Sequence, residues 1–219
     1  MELGKVFLES RWKLLNELSD KPLSPTELSK KIGSTIANVS TQLRLLEALD
    51  FITKSREKSY SVGKPAVLYS LKKEFAYLTI VSNSLVGKRL IKLDYFHNIV
   101  LNIWFINDYK VHYYLQKFFF QFEHILTGCD AFGYLDMNPT ELEILILCSN
   151  PNEHQNLFAD ARIEKQGEEA KKIKASIHSI EDIKRGLENR DKYFTSLINQ
   201  VVILRDIKGD LIKIKKEGI

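Results

Sequence analysis

The sequence predicts an α+β chain of 219 residues in three parts. Residues 1–73 form a small helix-turn-helix unit closed by a basic hairpin. Residues 74–109 form a helical connector, and residues 110–219 an α/β domain. Three observations carry this reading. Two helix-start signals flank a single glycine between Ser24 and Thr35. Two short β-prone runs follow at once, in a stretch rich in Lys and Arg. From His124 onward, apolar runs alternate with amphipathic ones, as in an α/β or α+β domain.

The first helix is expected over residues 5–18, with Val6, Phe7, Trp12, Leu14, Leu15 and Leu18 on its buried side. The next starts at Ser24-Pro25-Thr26-Glu27. Ser24 can cap, Pro25 suits the first turn because its missing N–H costs nothing there, and Glu27 completes a capping box. Gly33 ends this helix, and Ser34-Thr35 opens another that runs through Ile36, Val39, Leu43 and Leu46, one apolar face of a 3.6-residue period. The opposite face carries Ala37, Asn38, Ser40, Thr41 and Arg44. Short side chains there allow close approach, and amides, hydroxyls and a guanidinium can read base edges in a major groove.

Phe51-Ile52-Thr53 and Val67 to Leu71 read as two strands joined by a polar loop with Gly63 and Pro65. Across residues 51–73, Lys54, Arg56, Lys58, Lys64, Lys72 and Lys73 face one acid, Glu57. A cationic hairpin behind a polar-faced helix suits a wing that grips phosphates.

The run from Leu28 to Ile52 resembles the ArsR-type winged helix-turn-helix transcription regulators. Val39-Ser40, Leu43, Leu46-Glu47 and Phe51-Ile52 match that family's pattern, while Asp50 stands where the family has Gly. The resemblance covers the first third of the chain. It implies double-stranded DNA as the partner and a homodimer, because one short helix reads few base pairs. Asn38, Thr41, Gln42 and Arg44 are the expected groove contacts, with Ser34, Thr35 and Ala37 beside them and Ser40 placed to bond a phosphate. Lys54, Arg56, Lys58 and Lys64 are the expected phosphate contacts.

Charge placement agrees. The formal net charge of +4 sits entirely in residues 1–80, and residues 81–219 balance. Two cysteines are too few for a disulfide framework and suit a reducing cytoplasm. Metal sensing is not expected: the cysteines are far apart in sequence and the five histidines are scattered. The N-terminus lacks a signal-peptide pattern, and the apolar run at Ile99–Ile106 is too short to span a bilayer, so a soluble protein without membrane contact is expected.

Beyond the hairpin, Glu74 is expected to begin an amphipathic helix with Phe75, Leu78, Val81 and Leu85 on one face, serving either dimerisation or internal packing. Residues 90–121 are dense in aromatic and aliphatic side chains, the ordinary filling of a core, with Asn107-Asp108 between two helices. Strands are expected at Ile125–Thr127, Leu142–Cys148, Ile173–His178 and Val201–Leu204. Helices are expected over Asn152–Lys172, from Ser179 to Leu187, and from Arg190 to Asn199.

The series Leu126-Thr-Gly-Cys-Asp-Ala-Phe-Gly133, followed by Glu141-Leu-Glu143, resembles the minimal nucleotidyltransferase fold over roughly residues 110–205. Gly128, Ala131 and Gly133 match its glycine motif. The resemblance implies that Cys129 replaces a phosphate-holding Ser, and that Glu141 and Glu143 replace metal-binding aspartates. Cys is a poorer donor than Ser, and Glu is one methylene too long for a strict octahedral magnesium site. The sequence therefore implies a degenerate nucleotide site (Gly128, Cys129, Glu141, Glu143) with no catalytic or metal residue, used for assembly or ligand sensing. A solvated strand entry is the preferred reading of the two glutamates themselves. The alternative is an active nucleotidyltransferase targeted by its winged helix; magnesium and a nucleotide are implied only in that case.

Overall fold

In the computed structural model, residues 8–56 and 67–217 are described, and the chain divides into two compact units, residues 1–93 and 94–219. The first unit begins with three helices, α1 (Glu9–Asp20), α2 (Pro25–Ile32) and α3 (Ile36–Ala48). Strands β1 (Ile52–Arg56) and β2 (Val67–Leu71) form an antiparallel hairpin, with Ile52 opposite Leu71 and Arg56 opposite Val67. Leu23 adds a one-residue bridge to Tyr69. The core gathers Leu14 and Leu18 from α1, Leu28 from α2, Val39, Leu43 and Leu46 from α3, and Phe51 and Ile52 behind them.

Several expectations fail here for physical reasons. Trp12 is 60% exposed rather than buried, and Ile36, in the first turn of α3, is also exposed. Val6 and Phe7 lie outside the described residues. The helix expected from Glu74 is a second hairpin, β3 (Phe75–Val81) and β4 (Val86–Lys92), with Phe75 opposite Lys92 and Val81 opposite Val86. Phe75, Tyr77, Thr79, Ile80 and Val81 are β-prone by branching or aromaticity, and this preference prevails over a helical spacing seen only three times. A tight tip closes it: Ser82 Oγ accepts from Leu85 N at 3.0 Å. Phe75 and Leu90 pack on the first unit's core, so no helical connector spans residues 74–92.

The second unit opens with α4 (Tyr95–Trp104) and α5 (Lys110–Leu126), then β5 (Ala131–Met137) and β6 (Glu141–Leu147). A short helix α6 (Pro151–His154), β7 (Arg162–Ile163), β8 (Lys171–His178), α7 (Ile180–Glu188), α8 (Lys192–Gln200), β9 (Val202–Asp206) and α9 (Asp210–Glu217) follow. The sheet order is β7-β8-β6-β5-β9, with β6 and β8 parallel and the other neighbours antiparallel. Side-chain alternation along β6 explains its two covered faces. Leu142, Ile144 and Ile146 meet α4 and α5, while Leu145 and Leu147 meet α7, α8 and α9.

Two expectations in this unit are corrected. Ile125–Thr127 is the end of α5 and its cap rather than a strand, because the buried spacing of Val111, Leu115, Phe118, Phe122 and Leu126 keeps the helical period. The strand begins at Ala131 instead, and Gly133 lets β9 approach: a Cβ there would lie 2.5 Å from Val201 Cγ2 and 2.7 Å from the Val202 carbonyl oxygen. The long helix expected over Asn152–Lys172 reduces to α6 and one 3-10 turn; Gly167, at φ 81°, sits in the turn before β8.

Candidate nucleic-acid interface

The helix-turn-helix is locked by its own caps. Ser24 Oγ accepts from Glu27 N at 3.3 Å, and the Glu27 carboxylate accepts from Ser24 N at 2.8 Å. Gly33 takes the left-handed conformation at φ 65° and turns the chain into α3. Thr35 caps α3 by accepting from Asn38 N at 3.2 Å. These bonds fix where the outward face of α3 begins.

That face carries a ladder of side-chain hydrogen bonds. Asn38 Nδ2 donates to Ser34 Oγ at 2.9 Å, and Gln42 Nε2 donates to Asn38 Oδ1 at 3.4 Å. Arg11 Nε, from α1, donates to Gln42 Oε1 at 2.6 Å. Thr41 Oγ1 bonds back to the Ala37 carbonyl at 3.0 Å. Ala37, Asn38, Thr41 and Arg44 are exposed, whereas Ser34, Ser40 and Gln42 are half-buried. Thr35 is spent as a cap and Gln42 as a tie to α1, leaving Asn38, Thr41 and Arg44 as the open polar positions. Among the described residues Arg44 forms no side-chain hydrogen bond or ion pair.

The first hairpin is less cationic than its sequence. Lys54 Nζ lies 3.0 Å from Glu47 Oε1. Asp50 takes φ 66°, a conformation glycine adopts freely, and its carboxylate lies 2.5 Å from Lys72 Nζ and 3.1 Å from Lys73 Nζ. The Lys72 and Lys73 ammoniums hold the Asp50 carboxyl below its ordinary pKa. Arg56 remains exposed on β1, and Lys58 and Lys64 lie outside the described residues.

The second hairpin adds cations that the sequence reading assigned to no role. Lys88, Arg89 and Lys92 are exposed, and no acid occurs between residues 75 and 93. Counted by unit, residues 1–93 hold sixteen Lys and Arg against nine Asp and Glu, a net of +7. Residues 94–219 hold sixteen against nineteen, a net of −3. The charge asymmetry is thus sharper at the unit boundary than at residue 80.

In the second unit, the four residues expected to hold a nucleotide do not converge. Gly128 and Cys129 precede β5, beside the C-terminal end of β6, since Ala131 pairs with Leu147. Glu141 opens β6, six residues away along the strand, on the order of 20 Å. Cys129 is buried, donates to the Ile125 carbonyl at 3.4 Å, and is pushed up to about 11 by burial, so it remains a thiol facing the core. Glu143 is paired with Lys174 at 2.8 Å. The solvated strand entry describes these glutamates, and the antiparallel hairpin has carried the glycine motif to the wrong end. Among the described residues no group of three or more His, Cys, Asp or Glu is placed to hold a metal.

Compared with known families, residues 9–54 match the model described as the bacterial regulatory protein, arsR family. The matched residues span all of α1, α2 and α3 and the start of β1. None of the curated proteins matches the chain. An arsR-family helix-turn-helix therefore occupies the N-terminal region, a mixed α/β unit follows it, and no helix among the described residues is long and apolar enough to cross a membrane.

Proposed function

We propose that the protein is a sequence-specific, DNA-binding transcriptional regulator that acts as a homodimer in the cytoplasm, with its C-terminal unit serving assembly or ligand sensing. The observation that carries this is the outward face of α3. A helix capped at its N-terminus by Thr35 presents Asn38, Thr41 and Arg44 without internal claims on the Arg44 guanidinium. An amide and a guanidinium are the groups that bond bidentately to adenine and guanine edges. The match at residues 9–54 and the +7 balance of the first unit support the same reading.

Homodimerisation follows from the small footprint of one recognition helix, since two-fold half-sites double the sequence read. The test is fluorescence anisotropy of the full chain on DNA from its own upstream region and on a scrambled duplex, titrated with salt. Preference for the upstream DNA, weakened by salt, supports the reading. Indifference to any duplex at low salt would overturn it. Light scattering of the free and DNA-bound protein checks the dimer, and a monomeric mass on DNA would remove that part.

A further inference from the structure

We propose that the β3–β4 hairpin is a second DNA-gripping arm, a ribbon that enters a groove of the duplex with Lys88 and Arg89 meeting phosphates on opposite walls. This rests on the regulator reading above and extends it to a surface outside the residues matched to the family.

Consecutive strand residues point to opposite faces of a ribbon. Lys88 lies opposite Thr79 and shares a face with Phe75, Tyr77 and Leu90; Arg89 lies opposite Leu78 and shares the other face with Ala76 and Ile91. Phe75 and Leu90 anchor the base on the first unit's core, which leaves the tip half projecting. A major groove admits a two-stranded ribbon, and its two walls are phosphate backbones. A ribbon lying there needs a cation on each face and no acid on either, and residues 75–93 supply that pattern.

The contrast with the first hairpin strengthens the argument. Lys54, Lys72 and Lys73 are held by Glu47 and Asp50. Lys88, Arg89 and Lys92 form no side-chain hydrogen bond or ion pair among the described residues, so their charge is free for phosphate. At the tip, Val81 and Val86 are 80% and 75% exposed, with Ile80 and Leu85 beside them. A second copy of the hairpin stacked on either face would instead bury Lys88 or Arg89 with no acid to pair it, since residues 75–93 hold none. A cation stripped of water without a partner is costly, so duplex DNA is the occupant that the charge fits.

The experiment needs no operator, because phosphate contacts are independent of sequence. The full chain and its Lys88→Gln/Arg89→Gln variant are titrated with salt on a random-sequence duplex. Each lost phosphate contact lowers the slope of log K against log salt by about 0.9, so the double variant should be shallower by about two. Its circular dichroism and its mass should match those of the parent. A parent that binds with an unchanged slope in the variant overturns the arm and leaves the regulator reading standing. A parent that binds no duplex at low salt overturns both. If Val81→Ser/Val86→Ser halves the mass of the free protein while the salt slope per protomer holds, a second copy covers the tip and the arm is likewise overturned.

Discussion

Arg11 Nε donates to Gln42 Oε1 at 2.6 Å, tying α1 to the middle of α3. Gln42 is therefore a positioning group for α3 rather than a free reader. Replacing it with Ala removes a half-buried, charge-assisted bond and should cost about 1–2 kcal/mol of stability in the first unit. DNA affinity should fall by a similar factor on upstream and scrambled duplexes, because the helix shifts as a whole. Anisotropy on both duplexes, with a denaturant midpoint, checks this. A loss confined to the upstream DNA would make Gln42 a direct reader.

Arg44→Ala should behave in the opposite way. Its guanidinium is exposed, and removing it leaves the fold intact. A bidentate base contact contributes about 1–3 kcal/mol of discrimination, so affinity for the upstream DNA should fall while scrambled binding changes little. Selection from a randomised duplex pool should show one position relaxed. An unchanged preference in that pool would remove Arg44 from the groove.

Asp50 bridges Lys72 and Lys73 from a left-handed position at the end of α3. Asp50→Asn keeps the backbone preference, since Asn also tolerates that conformation, and releases both ammoniums. The free cations should tighten binding to any duplex at low salt and steepen the salt dependence. Stability should change little, as exposed ion pairs contribute little. A shallower slope in the salt titration would show that the bridge itself orients the hairpin for DNA.

Much of the first unit was legible because its signals are local. Ser24, Pro25, Glu27 and Gly33 each act on the backbone within a few residues, and the structure uses every one of them as a cap or turn. The β3–β4 hairpin is ambiguous locally, because Phe75, Leu78 and Val81 satisfy a helical spacing while β-propensity and a Ser82-Asn83-Ser84 tip favour strands. The nucleotide-site resemblance failed for a non-local reason. Spacing along the chain placed Gly128 close to Glu141, but the register of β5 on β6 sets them at opposite ends of the sheet. For α3, sequence separated an inner from an outer face; which outer residues are free depends on Arg11, thirty-one residues away.

His178 is half-buried against the rings of Tyr193 and Phe194, and burial lowers its pKa below the ordinary value, with Asp182 opposing in part. The folded chain thus binds this proton less readily than the unfolded chain does. Stability is fully present above the unfolded value of about 6.5 and declines as pH falls through the lowered folded value. His178→Gln should flatten that decline between neutral and mildly acidic pH. Proton NMR of the imidazole should give a midpoint below 6.5 in the parent, and a midpoint above it would reverse the sign.

Gly186 lies inside α7, where alanine would ordinarily add about 1 kcal/mol of helix stability. Here a Cβ would sit 2.1 Å from Phe194 Cδ2 and 2.6 Å from its Cγ. The ring cannot retreat freely, because Phe194 also packs edge-on against His178 with centroids 5.1 Å apart. Overpacking of this kind costs about 1–3 kcal/mol, which outweighs the propensity gain. Gly186→Ala should therefore lower the unfolding midpoint of the second unit and shift the His178 NMR midpoint as the ring moves. Phe194→Leu made in the same chain should recover part of the loss, since the smaller side chain vacates the space. A more stable Gly186→Ala protein would mean that α7 and α8 separate at little cost, and the glycine would then owe its place to something other than this contact.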